Sequence, residues 1–140
     1  MAIWKSKFSF EEIERRSKNT LPAHLGMRIT EIGDDYVKAT MPVDDRTKQP
    51  LGRLHGGASV ALAESVGSLG AHMTLEPGFI CVGIEINANH IRSVRQGLVT
   101  GVAKPLHIGH STQIWDVRIY DEDDNIVCVS RLTMAIFKSP

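Results

Sequence analysis

Alternation of apolar and polar residues with a period of two dominates the second half of the chain, and this period is typical of β-strands. In the clearest strand, residues 80–91, one face carries Ile80, Val82, Ile84, Ile86 and Ala88. The other face carries Cys81, Gly83, Glu85, Asn87 and Asn89. Further strands are predicted at 98–104, 112–120 and 126–137, and their short connections favour an antiparallel sheet.

The first half of the chain predicts helices with two short strands between them. A helix at 10–18 begins after Ser9, a residue suited to cap it, and carries two glutamates in its first turn. Short strands at 27–32 and 36–41 are joined by a turn at 33–35. A long helix then occupies residues 57–75, and Pro77 and Gly78 end it.

The long helix carries only two ionisable residues, Glu64 and His72. One face is formed by Leu62, Val66, Leu69 and Met73. Glu64 points away from that face and lies among small residues, whereas a surface helix carries a charged face there. We therefore expect a helix buried on all sides. The prediction is an α+β fold in which a curved antiparallel β-sheet wraps this central helix on one side and a second copy of the chain covers the other.

Composition narrows the function classes. The 140 residues fit one domain, 1–140, with 42% apolar and 23% charged residues. Sixteen basic residues balance sixteen acidic ones, which argues against a general nucleic-acid binder. No apolar run approaches the roughly 18 residues of a membrane span, and the first residues lack the pattern of a secretory signal. Cys81 and Cys128 form no CxxC motif. These features predict a cytoplasmic protein without nucleic-acid or membrane partners.

Glu64 is the first candidate for chemistry. It has no cationic residue within one helical turn, and burying an isolated carboxylate is costly unless it is paired or hydrogen-bonded. Such groups cluster at working sites, which favours a general base or a carboxylate nucleophile. A structural alternative is a carboxylate that caps the backbone amides of another element. Ser68 lies one turn further along and is placed to hydrogen-bond into the same pocket.

The sequence His55-Gly56-Gly57 precedes the long helix, where free backbone amides and the positive end of the helix dipole bind anions. The amide of Gly56 or Gly57 is a candidate to polarise a carbonyl that Glu64 attacks, or toward which Glu64 directs water. Gln49, in the preceding loop, offers an amide to orient substrate or water. The alternatives are a tight turn that feeds a helix and, for Gln49, a surface residue.

A third cluster is basic and rich in hydroxyl groups. Residues 89–95 end the longest strand, and Lys104 and residues 107–111 end and follow the next one. If these strands are adjacent, the two segments form a patch suited to phosphates; the alternative is a solvated sheet edge. None of the six histidines has HxH or HxxxH spacing, so we expect no metal site.

Four segments, 46–52, 54–60, 63–68 and 83–90, resemble the hotdog-fold acyl-CoA thioesterases, and the likeness extends from Trp4 to Ile136. The nearest group is that of the 1,4-dihydroxy-2-naphthoyl-CoA thioesterases of menaquinone biosynthesis and the enterobactin-pathway proofreading thioesterases. The resemblance implies hydrolysis of an aromatic (hydroxybenzoyl- or dihydroxynaphthoyl-type) acyl-CoA, or an acyl-carrier-protein thioester, to a free acid and a thiol. It also implies a cofactor-free homo-oligomer, a dimer or a dimer of dimers, with sites between subunits.

The resemblance also implies roles for individual residues. Glu64 matches the catalytic carboxylate, nucleophile or general base, and Gly56 the oxyanion-binding amide. Gln49, His55 and Ser68 match groups that position the thioester and the water. The segments that hold coenzyme A are matched by Gly83, His90, Ile91, Arg92, Ser93, His107, Ile108, Gly109, His110, Ser111 and Thr112. The chain departs from its nearest group at Leu51, where phenylalanine is expected, and at 110–112; these differences bear on the acyl pocket and the nucleotide contacts.

Two other functions stay open at this point. A hydratase or dehydratase on the same fold would use His55 with Glu64 at one substrate carbon. A non-catalytic acyl-CoA-binding module would bind the thioester and leave it intact.

Overall fold

A computed structural model describes residues 1–140. Six antiparallel strands form one sheet in the order β1-β2-β4-β5-β6-β3, so that β1 and β3 are its edges. The elements in chain order are α1 Phe10–Ser17, α2 Leu21–His24, β1 Arg28–Ile32, β2 Val37–Pro42, α3 Gly56–Met73, β3 Phe79–His90, β4 Leu98–Ile108, β5 Thr112–Tyr120 and β6 Ile126–Lys138. The sheet wraps α3, as expected. No helix has the length and hydropathy needed to cross a membrane.

The start of α1 follows directly from its sequence. The Ser9 hydroxyl accepts a hydrogen bond from the Glu12 amide at 3.2 Å, and the Glu12 carboxylate accepts one from the Ser9 amide at 3.0 Å. This reciprocal capping satisfies two amides that the helix itself leaves unbonded. The short helix α2, which has Pro22 in its first turn, was not predicted, because four residues are too few to show a helical period.

Close packing holds α3 against the sheet. Leu62 and Val66 have no exposed surface, and they face a core that includes the fully buried Trp115. Gly70 lets the helix approach this indole: a Cβ at residue 70 would lie 2.7 Å from the ring. Beyond the helix, Thr74 accepts a hydrogen bond from Gln113 at 2.8 Å. The small residues in α3 therefore serve close contact with the sheet.

A β-bulge in β3 changes the predicted faces of that strand. The pairing with β6 shifts between Gly83 and Glu85, and an inserted residue reverses which side chains face the core. Before the bulge Cys81 is buried; after it Ile86 packs on the core. Val82 and Ile84 are 46% and 60% exposed. The prediction that five alternating apolar residues share one face is therefore wrong across this point.

Two elements differ from their expected bounds by more than one residue. Strand β4 continues to Ile108 instead of ending at residue 104, because a second bulge, between Pro105 and His107, lets its end pair with β5. Helix α3 begins one residue earlier than predicted and ends at Met73, where Thr74 is its C-cap. Both shifts come from tertiary pairing and capping, which a hydrophobic period does not report.

The surface of α3 turned away from the sheet is only partly covered within one chain. Ser65, Ser68 and Leu69 are half-buried there, and His72 is exposed. A cleft of about 1020 Å³ separates this surface from α1 and α2. The expected cover by a second copy stays a prediction.

Candidate active site

The first candidate cluster surrounds the start of α3, and we call it the amide cluster (Gln49, His55, Gly56 and residues 90–93). His55 is the N-cap of α3: its Nδ1 accepts the Gly57 amide at 2.8 Å, which places the ring proton on Nε2. The carbonyl of His55 accepts the amides of Ala58 and Ser59. Among the amides of the first turn of α3, only that of Gly56 has no acceptor within the protein. It therefore offers a free donor at the positive end of an 18-residue helix.

His90 lies directly beside this amide. A Cβ built on Gly56 would be 2.9 Å from the His90 Nε2 atom, so glycine at residue 56 permits the imidazole to approach the helix start. The end of β3 and the start of α3 therefore meet, although 34 residues separate them in the chain. The resemblance assigns His90 to coenzyme A; the structure adds that its ring is also in contact with the oxyanion candidate.

A cavity of about 360 Å³ opens at the amide cluster. It is lined by six of the predicted site residues, Gln49, Gly56, His90, Ile91, Arg92 and Ser93. Sequence reasoning missed Arg53, Leu54, Ser59 and Val127, which complete the lining. Ser59 could have been predicted from the sequence, because it lies one turn after Gly56 on the same helix face. Val127 comes from β6 and gave no local signal.

Gln49 is held in a tight turn before α3. Its side-chain oxygen accepts the Leu51 amide, and its backbone amide donates to the Arg53 carbonyl at 2.8 Å. The oxygen is thereby engaged, and the NH₂ group is the donor that remains on this side chain, which lines the cavity. Leu51 itself is exposed. Gln49 is therefore a positioned donor within the cavity wall.

The second cluster lies in the middle of α3, and we call it the carboxylate cluster (Glu64, Ser68 and Gly83). The Glu64 side chain lies against β3: its Oε1 atom is 2.5 Å from where a Cβ of Gly83 would be. Glu64 takes part in none of the ion pairs of the chain, and no hydrogen bond to its carboxylate is formed. The carboxylate is therefore half-buried without a hydrogen-bond or ion-pair partner in the chain.

Ser68 and His72 continue the same side of α3. The His72 Nδ1 atom is 3.0 Å from the Ser68 carbonyl and 3.4 Å from the Cys81 Sγ atom. Burial raises the pKa of the Cys81 thiol to about 11, so it is protonated at neutral pH and is not a nucleophile there. Ser68 lines the large cleft beside α1 and α2.

The two clusters are too far apart to act on one carbonyl group within a single chain. Gly56 and Glu64 are eight residues apart on α3, which is about 12 Å at 1.5 Å per residue. Gly83 and His90 are seven residues apart on β3, or about 23 Å. An attacking group and an oxyanion donor must each lie about 3 Å from the reacting atoms. Glu64 and the Gly56 amide can therefore act on one carbonyl group only if they come from two copies of the chain, as the resemblance implies.

The predicted basic patch is also divided. Thr112 pairs with Ala135, which pairs with Val82, so the hairpin at 107–112 lies near the start of β3. His90, by contrast, ends that strand. Strands β5 and β6 separate β4 from β3, so the two segments do not meet within one chain. Residues 90–93 therefore lie with the amide cluster, whereas the hairpin at 107–112 lies with Gly83 near the carboxylate cluster.

Comparison with known proteins identifies the family. The pattern of the Thioesterase superfamily matches residues 51–128, more than half of the chain. The chain belongs to the thioesterase superfamily. A 1,4-dihydroxy-2-naphthoyl-CoA hydrolase of Escherichia coli K12 is 52% identical over 96% of this chain and 98% of its own length. The proofreading thioesterase EntH of Cronobacter turicensis is 50% identical with the same coverage.

Solved structures agree with this assignment. The crystal structure of a thioesterase from Haemophilus influenzae has a TM-score of 0.95 and 47% identity, covering 97% of this chain and 95% of that one. A thioesterase from Pseudomonas aeruginosa has a TM-score of 0.96 and 42% identity, covering 99% and 100%. The predicted hotdog fold, family and thioester hydrolase activity are thereby confirmed. The roles of individual residues in this thioesterase stay predictions.

Proposed function

We propose that this thioesterase hydrolyses aromatic acyl-CoA thioesters, of the hydroxybenzoyl or dihydroxynaphthoyl type, in sites shared by two copies of the chain. One observation carries the proposal: a free oxyanion donor and an unpaired carboxylate lie on one helix but about 12 Å apart. A second copy is needed to bring such a pair together. The aromatic substrate is supported by 52% identity to an E. coli protein named for a dihydroxynaphthoyl-CoA substrate.

The free edge of β3 supports the way in which two copies meet. This 12-residue strand pairs with β6 on one side only, and an unpaired edge of that length is a surface for strand pairing. Two-fold antiparallel pairing of β3 with β3 of a second copy sets the His90 end of one strand beside the Phe79 end of the other. The amide cluster of one copy then approaches the carboxylate cluster of the other.

The proposed reaction uses only groups of this protein and needs no metal or cofactor. The Gly56 amide donates a hydrogen bond to the carbonyl oxygen of the thioester. The helix dipole stabilises the negative charge that develops on this oxygen. The Glu64 carboxylate of the other copy takes a proton from water, whose oxygen bonds to the acyl carbon. The C–S bond breaks, and the leaving thiolate takes up the proton. In the covalent alternative, the Glu64 carboxylate bonds to the acyl carbon and the C–S bond breaks to release the thiolate. Water then hydrolyses the mixed anhydride to the free acid and the Glu64 carboxylate, and a proton from this water goes to the thiolate.

The remaining predicted residues fit around this reaction. The Gln49 NH₂ group and the His55 Nε2–H point donors toward the thioester and the water, and Ser68 orients groups beside Glu64. Pairing through β3 also brings residues 90–93 of one copy toward the 107–112 hairpin of the other. Arginine, histidine and hydroxyl groups from both segments then form the coenzyme A surface that neither copy forms alone.

A panel of thioesters tests this proposal. The purified protein is given hydroxybenzoyl-CoA, a naphthoyl-CoA, aliphatic acyl-CoAs of similar size and the matching acyl-carrier-protein thioesters, and thiol release is followed by absorbance. We expect the highest kcat/KM for the aromatic CoA thioesters. Preference for aliphatic chains would contradict the aromatic assignment. Binding without thiol release, or hydration of an enoyl-CoA without it, would contradict the reaction itself.

A further inference from the structure

The sequence resemblance places Gly83 with the residues that hold coenzyme A, but the structure gives it a different neighbour. We propose that Gly83 is a positioning residue for the Glu64 carboxylate: because residue 83 has no side chain, β3 has a recess in which that carboxylate lies. This inference rests on the proposed catalytic role of Glu64 and gives it a structural basis.

The recess is bounded by groups that are fixed in the core, and the Glu64 side chain is the one flexible group in it. A Cβ at residue 83 would lie 2.5 Å from the Glu64 Oε1 atom, and 3.5 Å from both the Glu64 Cδ and the Leu132 Cδ1 atoms. Leu132 is fully buried in β6, so this wall is fixed by the core. The conflict therefore falls on the end of a flexible side chain. An added methyl group displaces the carboxylate and leaves the backbone where it is.

The bulge in β3 explains why the recess is at this position. The pairing with β6 shifts immediately after Gly83, so Gly83 is the last residue before the bulge whose Cβ direction faces α3. A strand without the bulge would direct residue 85, a glutamate, toward the same side of the helix. The bulge thus keeps the Glu85 carboxylate away from Glu64, and Gly83 leaves room for the Glu64 carboxylate.

Packing is the only local restraint on Glu64. No ion pair or hydrogen bond within the chain holds its carboxylate, so contact with the Gly83 surface decides where the oxygens lie. Displacing a reacting group by about 1 Å lowers rates by about 10²-fold. A residue that fixes this position acts on kcat and leaves the binding of coenzyme A unchanged.

The test compares Gly83→Ala in two backgrounds, with kcat and KM measured by thiol release on the best thioester of the panel. In the wild-type background we expect kcat to fall about 10- to 100-fold with KM within about twofold, since about 1 Å of displacement is involved. In the Glu64→Asp background the carboxylate is one methylene shorter and no longer fills the recess. There the added methyl should change kcat by less than about threefold, a strong departure from additivity.

Other outcomes overturn the inference. If Gly83 only contacts coenzyme A, KM and the dissociation constant for free coenzyme A rise equally in both backgrounds and kcat is unchanged. If Gly83→Ala prevents folding, the backbone and not the carboxylate absorbs the added methyl. Thr30→Ala, an exposed change on β1 at the opposite edge of the sheet, is the control and should keep both constants. Full activity of Glu64→Gln would refute the proposed function instead, so the two failures are distinguishable.

Discussion

The two clusters on α3 are built on different physical principles. The amide cluster is made from backbone: helix geometry and the His55 cap fix the direction of the Gly56 amide. The carboxylate cluster depends on one flexible side chain, and packing against Gly83 replaces the hydrogen bonds that usually fix a half-buried carboxylate. The first offers a rigid donor for a developing charge, and the second offers an unpaired base. Their separation makes each of them half of a site.

Among the predicted effects, removing the charge of the carboxylate cluster should lower kcat the most. Glu64→Gln keeps the shape of the side chain and removes the base, so kcat should fall by roughly 10²–10⁴-fold, the usual contribution of general acid–base catalysis. Thiol release on the best aromatic thioester measures it. The control is Glu76→Gln, which breaks only an exposed ion pair with Lys5 and should retain full activity. Equal activity of the Glu64 and Glu76 variants would remove Glu64 from the reaction.

Removing the hydrogen-bond donor of the amide cluster should cause the second-largest fall in kcat. Gly56→Pro deletes the amide hydrogen, and proline suits the first position of a helix when the preceding residue is extended, as His55 is (ψ 131°). Gly56→Ala is the matched control, since both variants place a Cβ against His90 but alanine keeps the donor. We expect kcat of the proline variant to be about 10²–10³-fold below that of the alanine variant. Similar rates would show that the amide is not used.

The same cluster predicts a stability effect that the carboxylate cluster lacks. His55→Ala removes the acceptor of the Gly57 amide, and loss of an N-cap costs about 1 kcal/mol of unfolding free energy. Ser68→Ala removes a half-buried hydroxyl that makes no side-chain hydrogen bond and should change stability by less than about 0.5 kcal/mol. Urea unfolding measures both. A larger loss for Ser68→Ala would mean that the carboxylate cluster is also fixed by capping or hydrogen bonds.

The smallest predicted effect concerns the thiol beside the carboxylate cluster. Because burial raises the pKa of Cys81 to about 11, its thiolate fraction is negligible at pH 8 and grows only as the pH approaches that value. The native protein should therefore react with thiol reagents far more slowly than the urea-unfolded protein at pH 8. Cys81→Ala identifies the contribution of this residue, since burial also raises the pKa of Cys128. Fast labelling of native Cys81 would show that this end of α3 opens to solvent.

The strands and the long helix could be predicted because their signals are local. Period-two alternation located β5 and β6, and the near-absence of charges between Gly57 and Leu75, with no Lys, Arg or Asp, marked the buried helix. The His55-Gly56 part of the amide cluster was predicted for the same reason, since these residues are adjacent in the chain, whereas the position of residues 90–93 beside them was not. The bulge after Gly83 was missed because the apolar–polar alternation continues through it in the sequence. Only the face of the sheet to which the following side chains point is reversed.

The arrangement of the site could not be read from motifs. Glu64 and Gly56 seemed to share a pocket because they are two turns apart, yet two turns already exceed the reach of one reacting group. The two candidate phosphate-binding segments would meet within one chain only if their strands were adjacent, and strands β5 and β6 lie between them. In both cases nearness in sequence, or in strand order, is not nearness in space. The sheet order and the free edge of β3 supply the missing information.

Subunit complementation tests the shared site most directly. Glu64→Gln and Gly56→Pro chains, each inactive alone, are co-refolded in equal amounts so that copies exchange at random. A mixed pair has one complete site, formed by Glu64 of one chain and Gly56 of the other, and one site with neither. Half of the pairs are mixed, so about a quarter of wild-type activity should return. Activity no greater than the mean of the separately refolded variants would contradict a site shared between two copies.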